Sequence, residues 1–263
     1  MSPFVRPRRL DDPALRLVVL HHAGGSGAAY FPLVRSLPAD WDALLLDLPG
    51  RGKRHAQPPL EDMAELVARV TEDILPWADG PPLAIFGHSL GAVVAHETAR
   101  ALEARGASPV WVGVSGRAAP GWQGAAALPR HDLSDTELMS RLTEMGGMHP
   151  RIDELPDFRE RFLDLVRRDL RAVAAYRPDP AREPLGVPLT AFGAVDDAWA
   201  PPRSLARWEQ ETCEEFRQRT FTGGHFYLLG PGGAAFTAEL VREIRHAVRP
   251  GLADRTARVR TPV

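Results

Sequence analysis

The chain has 263 residues, 44% of them hydrophobic, and a formal net charge of −2 at neutral pH. This length is sufficient for one large domain with a full hydrophobic core, and the charge does not indicate a nucleic-acid partner. A single cysteine, Cys213, excludes an internal disulfide, and no potential metal ligands cluster around it. No apolar run matches a signal peptide or a membrane span. We therefore expect one domain, residues 1–263, in the cytoplasm, with no metal, no cofactor and no membrane contact.

Apolar runs and helical periodicities alternate along the chain. The predicted strands are 16–21, 42–47, 82–86, 110–115, 188–192 and 215–221. The predicted helices are 28–37, 60–77, 90–104, 134–145, 157–176, 201–211 and 234–248. This alternation is typical of an α/β fold in which a mostly parallel sheet has helices on both faces. The tail of about residues 250–263 is polar, and we expect it to be frayed.

The stretch 86–92 contains the pattern Gly-x-Ser-x-Gly between a predicted strand and a predicted helix. A serine on such a sharp turn is the nucleophile elbow of α/β-hydrolases. The turn is expected to hold Ser89 in an unfavourable backbone region. Gly87 and Gly91 omit the Cβ atoms that would clash where strand and helix meet. Ser89 is therefore the predicted nucleophile, and the free amide of Leu90 is a predicted oxyanion donor.

A glycine-rich loop, residues 22–27, follows the first predicted strand. In α/β-hydrolases the loop after this strand supplies the other oxyanion amide, and small residues let its backbone approach a substrate. We assign this role to Ala23, paired with Leu90, and expect either His21 or His22 to orient the loop. A phosphate-binding glycine loop is the alternative, but no Gly-Lys-Ser/Thr follows and the spacing is not Gly-x-Gly-x-x-Gly.

Acidic residues and a histidine follow the last two predicted strands, where a parallel sheet places its functional groups. Asp196 and Asp197 follow one of these strands, and His225 follows the other. The chain order of serine, aspartate and histidine is that of α/β-hydrolases. Ser89 would attack an acyl carbon, His225 would take and return its proton, and the aspartate would orient the imidazole. Asp196 is the preferred acid and Asp197 the alternative, because predicted strand ends shift by a residue or two.

The segment of about residues 117–180 separates two predicted strands at the place where α/β-hydrolases carry a helical lid. The Gly-Gly pair at 146–147 and the methionines beside it suit a mobile apolar cover. Plain helical packing is the alternative, since apolar stripes on helices usually belong to a core.

These motifs together resemble those of type II thioesterases, the stand-alone editing hydrolases of polyketide and nonribosomal peptide synthesis in the α/β-hydrolase superfamily. The matching stretches run nearly end to end and in family order: 22–26, 48–54, 87–92 and 223–226, with weaker matches at 145–147 and 174–176. The chain departs from the family at His21, where proline is usual, and at Ala198 and Trp199, where proline and a small aliphatic residue are common. Trp199 is therefore a candidate for narrowing the site and changing the acyl preference.

The resemblance implies a serine thioesterase that hydrolyses acyl groups from the phosphopantetheine arm of carrier proteins and so clears stalled or mis-primed units. The partner it implies is an acyl or peptidyl carrier protein. Because carrier proteins are acidic, the basic residues Arg51, Lys53 and Arg54 are candidate docking charges, although a solvated turn explains them equally well.

Three other functions remain open on the sequence. One is a general carboxylesterase acting on small soluble esters. Another is an acyl-releasing or acyl-transferring enzyme of the same fold, because one acyl-enzyme serves both hydrolysis and transfer. The third is a non-catalytic binding role in a synthase complex.

Overall fold

The computed structural model describes residues 2–122, 129–146 and 152–248. Within these residues one seven-stranded sheet has the order β1-β3-β2-β4-β5-β6-β7. The strands are β1 Phe4–Val5, β2 Leu15–Leu20, β3 Trp41–Leu46, β4 Leu83–His88, β5 Trp111–Ser115, β6 Leu189–Ala194 and β7 Phe216–Phe221. Only β1 is antiparallel to its neighbour. The mostly parallel sheet is confirmed, and β1 is too short to show an alternating sequence pattern.

The described helices flank this sheet. They are α1 Phe31–Arg35, α2 Met63–Ile74, α3 Leu90–Glu103, α4 Asp135–Met145, α5 Pro156–Ala175, α6 Pro202–Leu205 and α7 Gly233–Ala247. The prediction of one helix over 28–37 is wrong, because a 3-10 turn, Gly27–Tyr30, precedes α1. Pro32 lacks the amide that would continue a helix and is tolerated only in a first turn. None of the described helices combines the length and hydrophobicity needed to cross a bilayer.

Successive side chains of the central strands enter two separate hydrophobic cores. Leu17 and Val19 of β2 belong to one core, and Val18 and Leu20 belong to the other, because neighbouring strand residues point to opposite faces of a sheet. Apolar residues of α2 and α3 fill one core, and those of α1 and α7 fill the other. The predicted layers of helices on both faces are therefore confirmed.

The sheet order creates a crevice at the carboxyl ends of β2 and β4. The chain passes from β2 to β3 on one side and then returns to β4 on the other side of β2. Parallel sheets bind ligands at such a reversal. Leu20, the last residue of β2, pairs with Gly87 in β4, so the loops that follow these two strands start side by side.

Helices α4 and α5 lie within the segment predicted to be a lid. Together with Ile152 of the turn before α5, they form a small core from Leu138, Met139, Leu163, Val166 and Leu170. A capping box of Ser134 and Glu137 starts α4, and Gly146 ends it with a φ of 83°. Residues 123–128 and 147–151 of the segment lie outside the described residues, as does the predicted frayed tail. The helices are confirmed, whereas the single-domain assignment and the function of the insertion as a lid stay predictions.

Three backbone segments approach one another closely where β4 turns into α3. A Cβ atom added to Gly87 would lie 1.9 Å from the Gly91 carbonyl oxygen, which confirms the predicted contact between strand and helix. A Cβ added to Gly91 would lie 2.3 Å from the carbonyl oxygen of Leu20. Gly91 therefore clears the end of β2, not the elbow strand that precedes it.

We expect Gly91→Ala to lower the free energy of unfolding by about 2 kcal/mol or more, because main-chain atoms must move to admit the methyl group. Urea denaturation measures the loss. Gly230→Ala is the matched control, because its added Cβ would meet nothing nearer than the Phe226 carbonyl oxygen at 4.0 Å. Equal stability of the two variants would contradict the close packing.

Candidate active site

Ser89 occupies the turn between β4 and α3 in a strained conformation. Its φ of 57° and ψ of −114° make it the one non-glycine residue with positive φ among the described residues. Its amide donates to the Ser115 carbonyl at 2.8 Å, which fixes the turn to the end of β5. Backbone strain of this kind costs about 1–3 kcal/mol and is typical of functional turns. The turn brings the side chain of Ser89 to the wall of a pocket, while the residue stays only 4% exposed.

A buried histidine–aspartate pair lies beside the same pocket. His225 Nδ1 is 2.9 Å from Asp197 Oδ2, and both side chains are at most 1% exposed. Asp197 Oδ1 accepts hydrogen bonds from the amides of Trp199 at 2.9 Å and Ala200 at 3.1 Å. The carboxylate is an acceptor only, so it selects the imidazole tautomer with the proton on Nδ1. His225 Nε2 is left as the basic nitrogen.

The preference for Asp196 as the acid of this pair is wrong. Asp196 is exposed, and its carboxylate accepts a long hydrogen bond of 3.3 Å from the Gly223 amide. β6 continues to Ala194, two residues beyond the predicted end, and main-chain bonds to the β7 side reach Asp196. A turn follows, in which the Asp197 amide donates to the Ala194 carbonyl at 3.3 Å, and this turn brings Asp197 to His225.

The other ring nitrogen of His225 has the properties required of a general base. Nε2 is buried and has no hydrogen-bond partner among the described residues. His225 and Ser89 line the same pocket. A basic nitrogen that no other group occupies can accept the proton of a hydroxyl nucleophile and return it to a leaving group.

The pocket itself is apolar except at the end formed by the serine and the histidine. Its empty volume is about 550 Å³. Its apolar wall consists of Pro129, Leu142, Met145, Phe162, Val166, Leu170, Val173 and Phe226. Ala23 and Leu90, the predicted oxyanion donors, lie at the polar end with Ser89 and His225. A carbonyl group at the polar end would therefore extend its substituent along an apolar wall, half of whose residues belong to α5.

His22 and His88 lie near His225, His21 directly precedes His22, and removal from water lowers the pKa of all three. Burial, followed by the charges of His225 and Arg51, lowers the pKa of His22 from 6.5 to about 3. Burial also lowers the pKa values of His21 and His88 well below their ordinary range. Neutral neighbours do not repel a positive charge, so they do not oppose protonation of His225 during a reaction.

His21 is the histidine that orients the glycine-rich loop. Its Nδ1 lies 2.8 Å from the His22 carbonyl oxygen, and its Nε2 lies 3.4 Å from the Leu48 amide. A carbonyl can only accept and an amide can only donate, so Nδ1 carries the proton and Nε2 accepts. His22 Nδ1 instead lies 3.1 Å from the hydroxyl of Tyr30.

The expectation that Arg51 and Arg54 are docking charges is wrong. Both are buried, Arg51 in a bidentate pair with Asp169 and Arg54 in a pair with Asp73. Lys53 is exposed, and its ammonium group donates to the Phe4 carbonyl at 2.9 Å. The acidic partners come from α2 and α5, which are distant in the sequence, so the basic run alone does not reveal them.

Trp199 does not narrow the pocket. Its side chain lines a neighbouring groove with an empty volume of about 1530 Å³. The groove shares Pro129, Leu170 and Val173 with the pocket. The contribution of Trp199 to the site is its amide, which holds the Asp197 carboxylate.

Fold and site together define a serine hydrolase of the α/β-hydrolase class. The sequence model of the thioesterase domain family matches residues 15–247, and the chain belongs to this family. It is similar to Thioesterase PikA5 of Streptomyces venezuelae, with 38% identity over 218 residues, which are 82% of this chain and 76% of that protein.

Two solved structures extend the similarity to three dimensions. RedJ, a thioesterase from the prodiginine pathway of Streptomyces coelicolor, has a TM-score of 0.81 and 35% identity over 88% of this chain and 91% of its own. BorB, a type II thioesterase from the borrelidin biosynthetic cluster, has a TM-score of 0.82 and 33% identity, covering 93% and 98%. The resemblance drawn from the motifs is confirmed, and the protein is a thioesterase.

Asp197→Asn and Asp196→Asn form a matched pair that tests the assignment of the acid. We expect Asp197→Asn to lower kcat by about 10⁴-fold, because an amide selects the wrong imidazole tautomer. We expect Asp196→Asn to remain within about threefold of the wild type. Hydrolysis of p-nitrophenyl acetate measures both, and the reverse ranking would restore Asp196.

The neutral histidines predict how stability depends on pH. Below pH 6.5 the unfolded chain protonates His22, whereas the folded protein, with a pKa of about 3, does not. The unfolded state then binds more protons, so the free energy of unfolding falls as the pH falls from about 6.5 towards 3. The contribution of one histidine approaches about 1.4 kcal/mol per pH unit. Urea denaturation between pH 6 and 4.5 should give His22→Asn a shallower slope than the wild type. Equal slopes would show that His22 is protonated in the folded state.

Proposed function

We propose that the protein is a stand-alone editing thioesterase, which hydrolyses acyl groups from the phosphopantetheine arm of carrier proteins in polyketide or nonribosomal peptide biosynthesis. The observation that carries this proposal is the apolar pocket with Ser89, His225, Ala23 and Leu90 at its polar end. Membership of the thioesterase domain family supports the reaction, and the similarity to RedJ and BorB supports the biosynthetic setting. The cytoplasmic location predicted from the sequence is part of this proposal.

In the first half of the proposed reaction, Ser89 Oγ attacks the thioester carbonyl carbon and passes its proton to His225 Nε2. The negative charge on the carbonyl oxygen is stabilised by the amides of Ala23 and Leu90. Asp197 stabilises the imidazolium. The carbon–sulfur bond then breaks, the thiol of the arm leaves with the proton from His225, and the acyl group remains on Ser89.

In the second half, water attacks the acyl-enzyme while His225 takes a proton from it. The same two amides stabilise the second oxyanion, and the ester bond to Ser89 breaks as Oγ recovers the proton. A thiolate is a better leaving group than an amine, so acylation needs less acid help from His225 with a thioester than with an amide.

The acyl group is proposed to lie along the apolar wall during both steps. Apolar side chains stabilise a hydrocarbon chain by about 25 cal/mol for each Å² removed from water. Carrier docking requires surfaces other than Arg51 and Arg54, because both of those side chains are buried in ion pairs.

Mass spectrometry of loaded carrier proteins tests the proposal. Carriers bearing acetyl, propionyl or longer acyl groups are incubated with the wild type and with Ser89→Ala. We expect the wild type to release the acyl group as a free acid and Ser89→Ala to release none. Ser140→Ala is the control, because this exposed serine on α4 lies outside the pocket and should leave the rate unchanged.

Two outcomes would overturn the proposal. Turnover of a simple ester without release from any carrier would indicate a general carboxylesterase. Transfer of the acyl group to an added alcohol, amine or thiol in preference to water would indicate an acyl-transferring enzyme.

A further inference from the structure

The carboxylate of Asp169 links α5 to the glycine-rich loop of the active site. Asp169 is fully buried, and its Oδ2 accepts a hydrogen bond of 2.7 Å from the Gly24 amide. The guanidinium of Arg51 donates two hydrogen bonds to the same carboxylate, from Nη1 to Oδ2 at 2.5 Å and from Nη2 to Oδ1 at 3.0 Å. One carboxylate therefore joins the loop after β2, the loop after β3 and the helix that contributes half of the apolar wall residues.

Stability alone does not explain this buried ion pair. The cost of removing two charges from water largely cancels their attraction, and apolar replacements of such pairs are often neutral or stabilising. A buried carboxylate with three well-placed donors instead fixes the groups that donate to it. Here the group that the carboxylate fixes is the main-chain amide of Gly24.

Gly24 also packs directly against α5. Its φ is 72°, and a Cβ atom added there would lie 2.4 Å from Val166 Cγ2 and 2.9 Å from the ring of Phe162. The loop backbone thus approaches α5 at Phe162 and Val166 as well as at Asp169. A side chain at this position would push the loop away from α5.

Both peptide groups that flank the Ala23 α-carbon are held by hydrogen bonds. The peptide that carries the Ala23 amide is fixed through the His22 carbonyl, which accepts from the Gly25 amide at 3.0 Å and from His21 Nδ1 at 2.8 Å. The peptide that follows is held at its Gly24 amide, which donates to Asp169. The direction of the Ala23 amide therefore depends on α5 as well as on its own loop.

We propose that Asp169, neutralised by Arg51, is a positioning residue that sets the Ala23 amide for oxyanion stabilisation. The inference rests on the proposed function of Ala23 as an oxyanion donor. It adds that the helix forming the acyl pocket also holds the oxyanion loop.

Two double variants isolate the acceptor from the charges. Arg51→Met/Asp169→Asn removes both charges but keeps a carbonyl oxygen that can accept from the Gly24 amide. Arg51→Met/Asp169→Leu removes both charges and the acceptor, with a side chain of similar size. If the leucine variant does not fold, Arg51→Met/Asp169→Ala replaces it, because alanine also lacks the acceptor.

Kinetics with an acyl thioester of N-acetylcysteamine and inhibition by butylboronic acid give the readout. Boronic acids form a tetrahedral adduct with a catalytic serine and so report on the oxyanion site. We expect kcat of the leucine variant to be about 10- to 100-fold below that of the asparagine variant, with KM within about threefold. The inhibition constant of the boronic acid should rise by a similar factor, and the asparagine variant should stay near the wild type.

A purely structural function of Asp169 predicts another result. The two double variants would then differ in melting temperature, while kcat and the boronic acid constant stayed equal, and this would overturn the inference. The assay needs no carrier protein. An enzyme that hydrolyses the small thioester but no loaded carrier would contradict the proposed function and still test Asp169.

Discussion

The site depends on a main-chain contact at the carboxyl edge of the sheet, where three segments meet with no room for side chains. Gly91 at the start of α3 lies against the end of β2, and Gly87 in β4 lies against Gly91. The turn between strand and helix falls on Ser89, which adopts positive φ. The sheet and the two cores hold this strain in place. Ser89, the proposed nucleophile, is therefore positioned by the packing of strands and helix around the turn.

Burial then decides which groups at this edge carry charge. In a low-dielectric environment an isolated charge is costly, and His21, His22 and His88 accordingly stay neutral. The nearby carboxylate of Asp197 accepts three hydrogen bonds, two from main-chain amides and one from the His225 imidazole. The three neighbouring histidines therefore have lowered pKa values, and a hydrogen-bonded carboxylate faces His225.

The sequence predicted the features that depend on local periodicity. Buried strands alternating with amphipathic helices defined the α/β fold, and two glycines around a serine defined the elbow. The choice of Asp196 was wrong because the triad acid is decided by the direction in which side chains point beyond the end of β6. That direction is set by main-chain bonds to β7, which sequence spacing does not contain.

The ion pairs of Arg51 and Arg54 could not be predicted from the sequence for a different reason. Arg51 and Arg54 of the loop after β3 have their acidic partners more than a dozen residues away, on α5 and α2. A charge run therefore gave no information about burial. One signal was present in the sequence: Asp169 falls on the apolar stripe of α5, between Val166 and Val173. A carboxylate on a buried helical face requires a partner, and the search for that partner leads to Arg51 and Gly24.

Helix α5 contacts both the apolar pocket and the glycine-rich loop. Phe162, Val166, Leu170 and Val173 share one face because residues three and four apart lie together on a helix, and all four line the pocket. Asp169 lies on the adjoining part of that face and holds the Gly24 amide. Because one helix both lines the pocket and holds the Gly24 amide, an acyl group that displaced α5 would, under the proposed function, also disturb the proposed donor at Ala23. If Asp169 positions the oxyanion loop as proposed, the transition state of a poorly fitting acyl group is stabilised less. The preference among acyl groups is then expressed in kcat as well as in KM.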